Sequence, residues 1–336
     1  MSPTRLASPL PDRLPFLRRR GLLMRATRAF LEARGMIEVE TPYAVATPGE
    51  EVHLRAFRTT LESADGGLQP LWLHTSPEFA MKRIVAETGL PVFQFARVWR
   101  NGEAGALHAP EFTMLEWYRP GADLDALMDE TEALFQRVLP PVVRCRGVET
   151  RLDGPFERLA MADAFRRHVG ADLLGTAGDA PALAAQAGTT LREGEDWEDL
   201  FFRLLLERVE PRIGRDRPCF LTHWPAAQAA LARRDPTDDR VALRFELFVA
   251  GMELANAFDE LTDPAEQRRR FDADRARRAS LPVSGAGAMD WPMDEALLEA
   301  LSRLPPCAGI AVGFDRLAML AAGAGAVADV MWLSDH

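Results

Sequence analysis

The sequence has few cysteines: only Cys145, Cys219 and Cys307, far apart and without metal-ligand spacing, so neither a disulfide framework nor a zinc site is supported. That usage fits a reducing cytoplasm. The first twenty residues carry no apolar leader segment. The most apolar late stretch, Leu317 to Leu333, is short, rich in small residues and broken by Asp329, so it reads as buried core rather than a membrane span. An excess of positive charge is also missing. With 40 Lys and Arg against 50 Asp and Glu, the net charge of -10 and pI near 5.3 oppose attraction to a polyanion, which disfavours tRNA as a partner. The runs Arg18, Arg19, Arg20 and Arg268, Arg269, Arg270 read as solvated helix faces. No G-x-x-x-x-G-K-[ST] or G-x-G-x-x-G element and no internal repeat occurs, so an ATP site has to be built otherwise.

What is present is an ordinary globular composition, 47% hydrophobic and 27% charged, long enough for one large domain or two small ones. Residues 1–15, with four prolines, read as a flexible lead-in. An amphipathic helix over Leu17 to Arg34 stops at Gly35 and a strand follows over Met36 to Glu40. Strands are predicted at Leu71 to His74, Val92 to Trp99, Phe112 to Tyr118, Phe220 to Thr222, Val241 to Val249 and Met252 to Phe258, with helices near 77–88, 122–137, 197–209 and 263–279. Strands in adjacent pairs favour an α+β fold with an antiparallel sheet flanked by helices. The Ala-, Gly- and Thr-rich stretch 170–195 reads as an insertion.

Four segments could carry chemistry, each with a plainer reading beside it. In RVALRFELFVAGMELANAFDE, a two-residue turn at Ala250-Gly251 would pair Phe248 with Glu253 and Glu246 with Ala255. Glu246 and Glu253 then share a face as diagonal neighbours about 7–8 Å apart, repelling unless a cation lies between them. The alternative is the solvated face of an edge hairpin. In RVWRNGEAGALHAPEFTMLEWY, strand, loop and strand put Met114, Glu116 and Tyr118 on one face, with Arg100 at the loop mouth able to clamp a phosphate. A surface-charged hairpin is the alternative, and His108 fits a turn as well as a ligand. GIAVGFDRLAML runs from a glycine-punctuated strand into a helix whose first turn holds Asp315 and Arg316, an anion-favouring end or simply a capped junction. HTSPE offers Ser76 as an N-cap and Glu78 either for a substrate ammonium or for the helix dipole.

In this order the segments resemble the catalytic domain of class II lysyl-tRNA synthetases, and more closely the freestanding elongation factor P lysine ligases, the GenX or PoxA family. RGMIEVETP looks like the first class II motif, RVWRNGE through HAPEFTMLEWY like the second and GIAVGFDR like the third, while TSPEFAMKR and GMELANAFDELTD look lysine-specific. The likeness covers nearly the whole chain and implies a single catalytic domain over 16–336, a homodimer through the first motif, and ATP with magnesium. By position it implies Arg100 on the α-phosphate, Arg316 on the γ-phosphate, and Phe112 stacked on adenine. Asn101, Glu103, His108 and Gly313 complete the ATP set, and Glu246 and Glu253 hold magnesium or substrate. For the amino acid it implies Ser76 among the substrate-binding residues, Glu78 at the α-ammonium, Glu116, Tyr118 and Glu260 around the side-chain ammonium, and Asn256 near the carboxylate. Ala311, where lysyl-tRNA synthetases have glycine, would suit a β-amino acid.

Two departures stand out: the family usually has an acid where this chain has Gly102 and an asparagine where it has Ala109. Either Glu103 takes over the lost contact or the backbone suffices. With only about twenty residues ahead of the first motif's helix, no anticodon-binding OB-fold is expected. The expected activity is therefore ATP-dependent activation of (R)-β-lysine or lysine to an adenylate, then amide formation with a lysine ε-amine of elongation factor P. The alternatives are a lysyl-tRNA synthetase-like enzyme charging tRNA or a carrier protein, and a non-catalytic regulatory paralogue.

Overall fold

The computed structural model describes residues 9–280 and 291–333. Among them no helix is long and apolar enough to cross a membrane. The single domain expected over 16–336 divides into two compact units, Met1–Asp123 with Glu260–His336, and Leu124–Asp259.

In the first unit the strand Glu111–Pro120 lies between Val92–Trp99 and Cys307–Gly313, antiparallel to both, and Ile37–Glu38 adds a short parallel edge to Val92–Trp99. The central strand is buried on both faces over Thr113 to Tyr118, and the helices Glu78–Thr88 and Phe314–Ala322 pack against it. A smaller sheet of Ala44–Val45, Leu68–Leu73 and Phe57–Glu62 stands apart.

The first helix is Leu10–Glu32, so it begins inside the stretch expected as a flexible lead-in; residues 1–8 of that stretch lie outside the described residues. Pro11 sits in the first turn, where a missing N–H leaves no bond unmade, and Pro15 in the next turn is tolerated. Tertiary contact anchors this end: Arg13 Nη1 donates to the carbonyls of Ala328 at 2.8 Å and Met331 at 2.6 Å. Arg20, expected on a solvated face, is buried and pairs with Asp315. Asp315 Oδ2 also accepts the Thr113 N–H at 2.8 Å. Asp315 therefore does not cap its own helix, which has no side-chain cap, but ties that helix to the Glu111–Pro120 strand and to the first helix.

In the second unit Val241–Val249 pairs antiparallel with Met252–Asp259 and with Cys219–Pro225, which takes Glu157–Ala160 as a parallel neighbour. Its core gathers Phe165, Trp197, Phe201 and Trp224. The stretch 170–195 packs into this core through Leu183 and Ala184 of the Ala180–Gln186 helix, whose N-terminus Asp179 caps by accepting the Ala182 N–H. The helix predicted near 197–209 is α-helical only over Trp197–Leu204 and widens to a π-turn over Leu205–Val209. Each unit is thus a mainly antiparallel sheet with helices packed on it, as the adjacent strand pairs predict.

Candidate active site

The first unit's central strand sets the pocket. Register places Gln94, Glu116 and Ala311 side by side across three strands, and Gly309, Ala311 and Gly313 opposite Tyr118, Glu116 and Met114. Side chains at this spacing share a face, so one side of Met114, Glu116 and Tyr118 is flanked only by glycine and alanine. That leaves a trough above a floor of Ala96, Val98 and Met114, with Phe112 packed against it. Gly309 is needed there: a Cβ would collide with the Glu260 carboxylate and the Tyr118 ring.

The polar groups around Glu116 form a connected set. Ser76 Oγ donates to Glu116 Oε1 at 2.6 Å and Tyr118 Oη donates to Oε2 at 3.1 Å. Ser76 Oγ in turn accepts the Glu78 N–H at 3.0 Å. Burial, with the Glu78 charge added, pushes the Glu116 carboxyl up to about 8, although the Ser76 and Tyr118 hydrogen bonds act the other way. Burial and the carboxylates of Glu116, Glu78 and Glu260 raise the Tyr118 hydroxyl, so it stays a donor. Lys82, one helical turn after Glu78 and 1% exposed, reaches Glu78 Oε1 at 2.5 Å and Glu260 Oε2 at 2.6 Å. Burial opposes its charge, yet the Glu260 and Glu78 carboxylates hold its pKa above the usual lysine value.

At the loop mouth Arg100 stands over the Phe112 ring at 5.3 Å, with Glu103 3.9 Å away. Its Nε is buried and lacks a hydrogen-bond partner among the described residues, a cationic donor aimed at no protein acceptor. Arg316 is held by the same loop: its Nε donates to the Leu107 carbonyl at 3.2 Å and its Nη2 lies 2.7 Å from His108 Nε2. Gly102 has φ +88°, and a Cβ there would run into the Arg55 guanidinium. Asn101 N–H donates to the Arg55 carbonyl at 2.7 Å, so Arg55 covers the position where the resembled family carries an acid.

In the second unit the turn falls at Ala250-Gly251, both with positive φ, and Phe248 pairs with Glu253 as expected. Glu246 pairs with Asn256 rather than Ala255, because a bulge between Leu247 and Phe248 takes up one residue of the facing strand. The bulge has a consequence for the face. Glu253 and Asn256, three apart and on opposite sides of a regular strand, both come to the side of Glu246. Arg244 joins them, donating to Glu246 Oε1 at 2.5 Å and to Asn256 Oδ1 at 3.1 Å while its guanidinium stacks 4.0 Å from the Trp224 ring. Burial and the neighbouring Glu253 carboxylate push Glu246 up to about 8, against the pull of Arg244.

An apolar-floored trough with buried acids beside an arginine whose Nε has no partner among the described residues has the chemistry to hold cationic and anionic groups together. A family model described as "tRNA synthetases class II (D, K and N)" matches residues 11–335. This chain belongs to that family. Curated proteins similar to it include one from Sodalis glossinidius, 44% identical over 94% of this chain and 93% of its own length. Another, from Pseudoalteromonas translucida, is 43% identical over 91% of this chain and 90% of its own. A third, from Salmonella dublin, is 42% identical over 95% and 94%. All three bear the name "Elongation factor P--(R)-beta-lysine ligase".

Within this class II synthetase chain the structure brings Ser76, Glu78, Glu116, Tyr118, Glu260 and Ala311 together in the first unit, along with Arg100, Phe112, His108 and Arg316 near the loop. Glu246, Glu253 and Asn256 share one face of the second unit. Asn101 and Gly313 flank the Arg100 loop and the start of the Phe314–Ala322 helix. Four residues escaped sequence reasoning. Lys82 was legible from its i, i+4 spacing to Glu78, Gln94 from its register opposite Glu116, and Arg244 from its i, i+2 spacing to Glu246. Gln94 is 1% exposed and neither side-chain amide atom has a partner among the described residues. Arg55 left no local signal, since it meets Gly102 only through the fold.

Proposed function

We propose that this chain activates (R)-β-lysine, or lysine, with ATP and transfers it to a lysine ε-amine of elongation factor P. The observation carrying this reading is similarity over nearly the full length of both chains to the ligases just described. The pocket supports it chemically. Buried acids around Glu116 suit a substrate with two ammonium groups, and Ala311 beside Glu116 adds a methyl group that narrows the trough where the amino-acid backbone would lie.

In the first step the substrate carboxylate attacks the α-phosphorus of ATP, giving an acyl-adenylate and pyrophosphate. In the second the ε-amine attacks the acyl carbon, an amide forms, AMP leaves and the amine loses a proton. Arg100, with its unpaired Nε, would take the developing charge on the α-phosphate, and Arg316 would leave Leu107 and His108 for the terminal phosphate. Phe112 would give the adenine a flat apolar face. No covalent bond to the protein is needed, because fixing two reactants in line removes much of the barrier.

Magnesium fits the second unit's face in part. Glu246 and Glu253 supply two close carboxylates whose repulsion a divalent ion would relieve, and magnesium commonly takes one or two carboxylates with phosphate oxygens and water. When bound, magnesium would neutralise charge on the phosphates of ATP. A homodimer in a reducing cytoplasm, where three buried free cysteines persist, belongs to the same reading.

The test is transfer of labelled lysine and (R)-β-lysine, with ATP and magnesium, to purified elongation factor P and to tRNA in parallel. Label on the protein, strongest with β-lysine, supports the ligase. Label on tRNA would make it a charging synthetase, and absence of pyrophosphate exchange with either amino acid would sink both.

A further inference from the structure

The sequence resemblance gives Glu78 and Glu260 to the substrate's ammonium groups, yet both already hold an ammonium that belongs to the protein. Lys82 Nζ binds Glu78 through Oε1 at 2.5 Å and Glu260 through Oε2 at 2.6 Å, and the lysine is as buried as any core residue, 1% exposed. Burying two carboxylates and an ammonium costs solvation that only close pairing offsets, so a packed apolar side chain would be the simpler core. The arrangement has a directional result. With Oε2 fixed by Lys82, Glu260 Oε1 points into the gap above Gly309 and beside the Tyr118 ring, on the substrate face of the sheet. With Oε1 of Glu78 fixed in the same way, its backbone N–H stays on Ser76, whose hydroxyl orients Glu116.

We propose that Lys82 is the positioning residue of the amino-acid pocket: its ammonium fixes one oxygen of Glu78 and one of Glu260 and aims the remaining oxygens at the substrate's ammonium groups. It also sets the charge of the pocket. Its ammonium offsets one of the two carboxylates it holds, the buried Glu51 carboxyl adds another acid beside Glu78 and Glu116, and Glu116 can give up its proton to an arriving ammonium. The pocket therefore matches a substrate with two ammonium groups. Lys82 touches neither reacting atom.

This inference rests on the ligase reading, and the experiment separates the two. Pyrophosphate exchange is measured with lysine and (R)-β-lysine for the wild type, for Lys82→Met, and for Lys82→Met combined with Glu260→Gln, which removes the carboxylate left unpaired. For Lys82→Met the expected result is a rise of about tenfold or more in the amino-acid KM, with the ATP KM within about twofold, since oriented charged hydrogen bonds carry that much. The rise should steepen toward low pH, because one of two unscreened carboxylates then takes up a proton. In the double variant the amino-acid KM stays raised while the added pH dependence disappears. A folded variant with the wild-type amino-acid KM and pH profile overturns the proposal, as does an equal change in both KM values and kcat. Should both variants fail to fold, the 15N signal of the Lys82 ammonium in the wild type decides: it should shift on adding lysine and not on adding ATP, and an unmoved signal refutes the role. A wild type that exchanges with neither amino acid overturns the ligase reading and this inference together.

Discussion

Two buried carboxyls, Glu116 in the first unit and Glu246 in the second, are both pushed up to about 8, but their surroundings differ. Glu116 is held by two neutral donors, Ser76 and Tyr118, with its cation one step away on Lys82. Glu246 has a guanidinium directly on it and a second carboxylate, Glu253, beside it. A carboxyl bonded only by hydroxyls can release its proton to an arriving ammonium at little structural cost. A carboxyl between a fixed arginine and a like charge is one whose repulsion a further cation would relieve. Upward shifts in both carboxyls thus arise from different arrangements, and the partners, more than the shift, point to the ligand.

The largest expected effect is on Glu246. On the proposed reading, Glu246→Gln should lower kcat for pyrophosphate exchange by about 100-fold or more, with a raised magnesium requirement, since it removes a carboxylate that would hold the ion. Glu116→Gln should instead raise the amino-acid KM by about 10–100-fold and leave the ATP KM and magnesium dependence alone. If the two variants fail in the same kinetic parameter, the contrast between the sites is wrong.

Removing the arginine from one side of the comparison gives a stability readout. Arg244→Met removes the guanidinium that stacks on Trp224 and pairs with Glu246, at about 3 kcal/mol, within the range for breaking a buried ion pair. The Tm measured without magnesium should fall, and millimolar magnesium should restore part of it. Unchanged Tm would show that Arg244 does not neutralise this face.

Glu116 offers a pH test with a definite sign. Its folded pKa of about 8 lies above the ordinary 4.5, so the stability linked to it is present below about 4.5 and lost as pH rises toward about 8. Ammonium binding runs the opposite way, because it needs the ionised form. The amino-acid KM should fall roughly tenfold per pH unit up to about 8 and then level off. Glu116→Gln should flatten that profile while raising Tm at pH 9. A wild-type KM independent of pH between 6.5 and 8 would contradict the assignment, where that window is taken as about one and a half units below the Glu116 pKa.

Local pattern made much of this legible. The strand pairs, the type of turn at Ala250-Gly251 and the shared face of Glu116 and Tyr118 follow from alternation and turn chemistry, because neighbours within an element are fixed by its period. What sequence could not give depends on a third body. The bulge that turns Asn256 toward Glu246 needs the facing strand; the early start of the Leu10–Glu32 helix needs the carbonyls that Arg13 holds; Arg20 leaves the solvent because Asp315, Thr113 and the Phe314 ring meet it across the fold. The candidate site was legible as a set of acids, whereas Lys82, the cation between two of them, lies in TSPEFAMKR with no role assigned to it, because its partner Glu260 meets it only through the fold.

The smallest expected effect concerns the Arg100 loop, where Gly102 and Arg55 act as a pair. Restoring an acid by Gly102→Glu alone places a side chain where Arg55 lies, at a positive φ that disfavours any Cβ, so about 1–2 kcal/mol of strain should appear as a modest rise in the ATP KM. Shortening the neighbour at the same time, with Arg55→Val, clears the space but leaves the φ penalty. If occupied space is the main cost, the double variant recovers most of the ATP affinity lost in the single one. If backbone conformation dominates, both variants bind ATP equally weakly, and Arg55 then plays no part in the loss of the family's acid at this position.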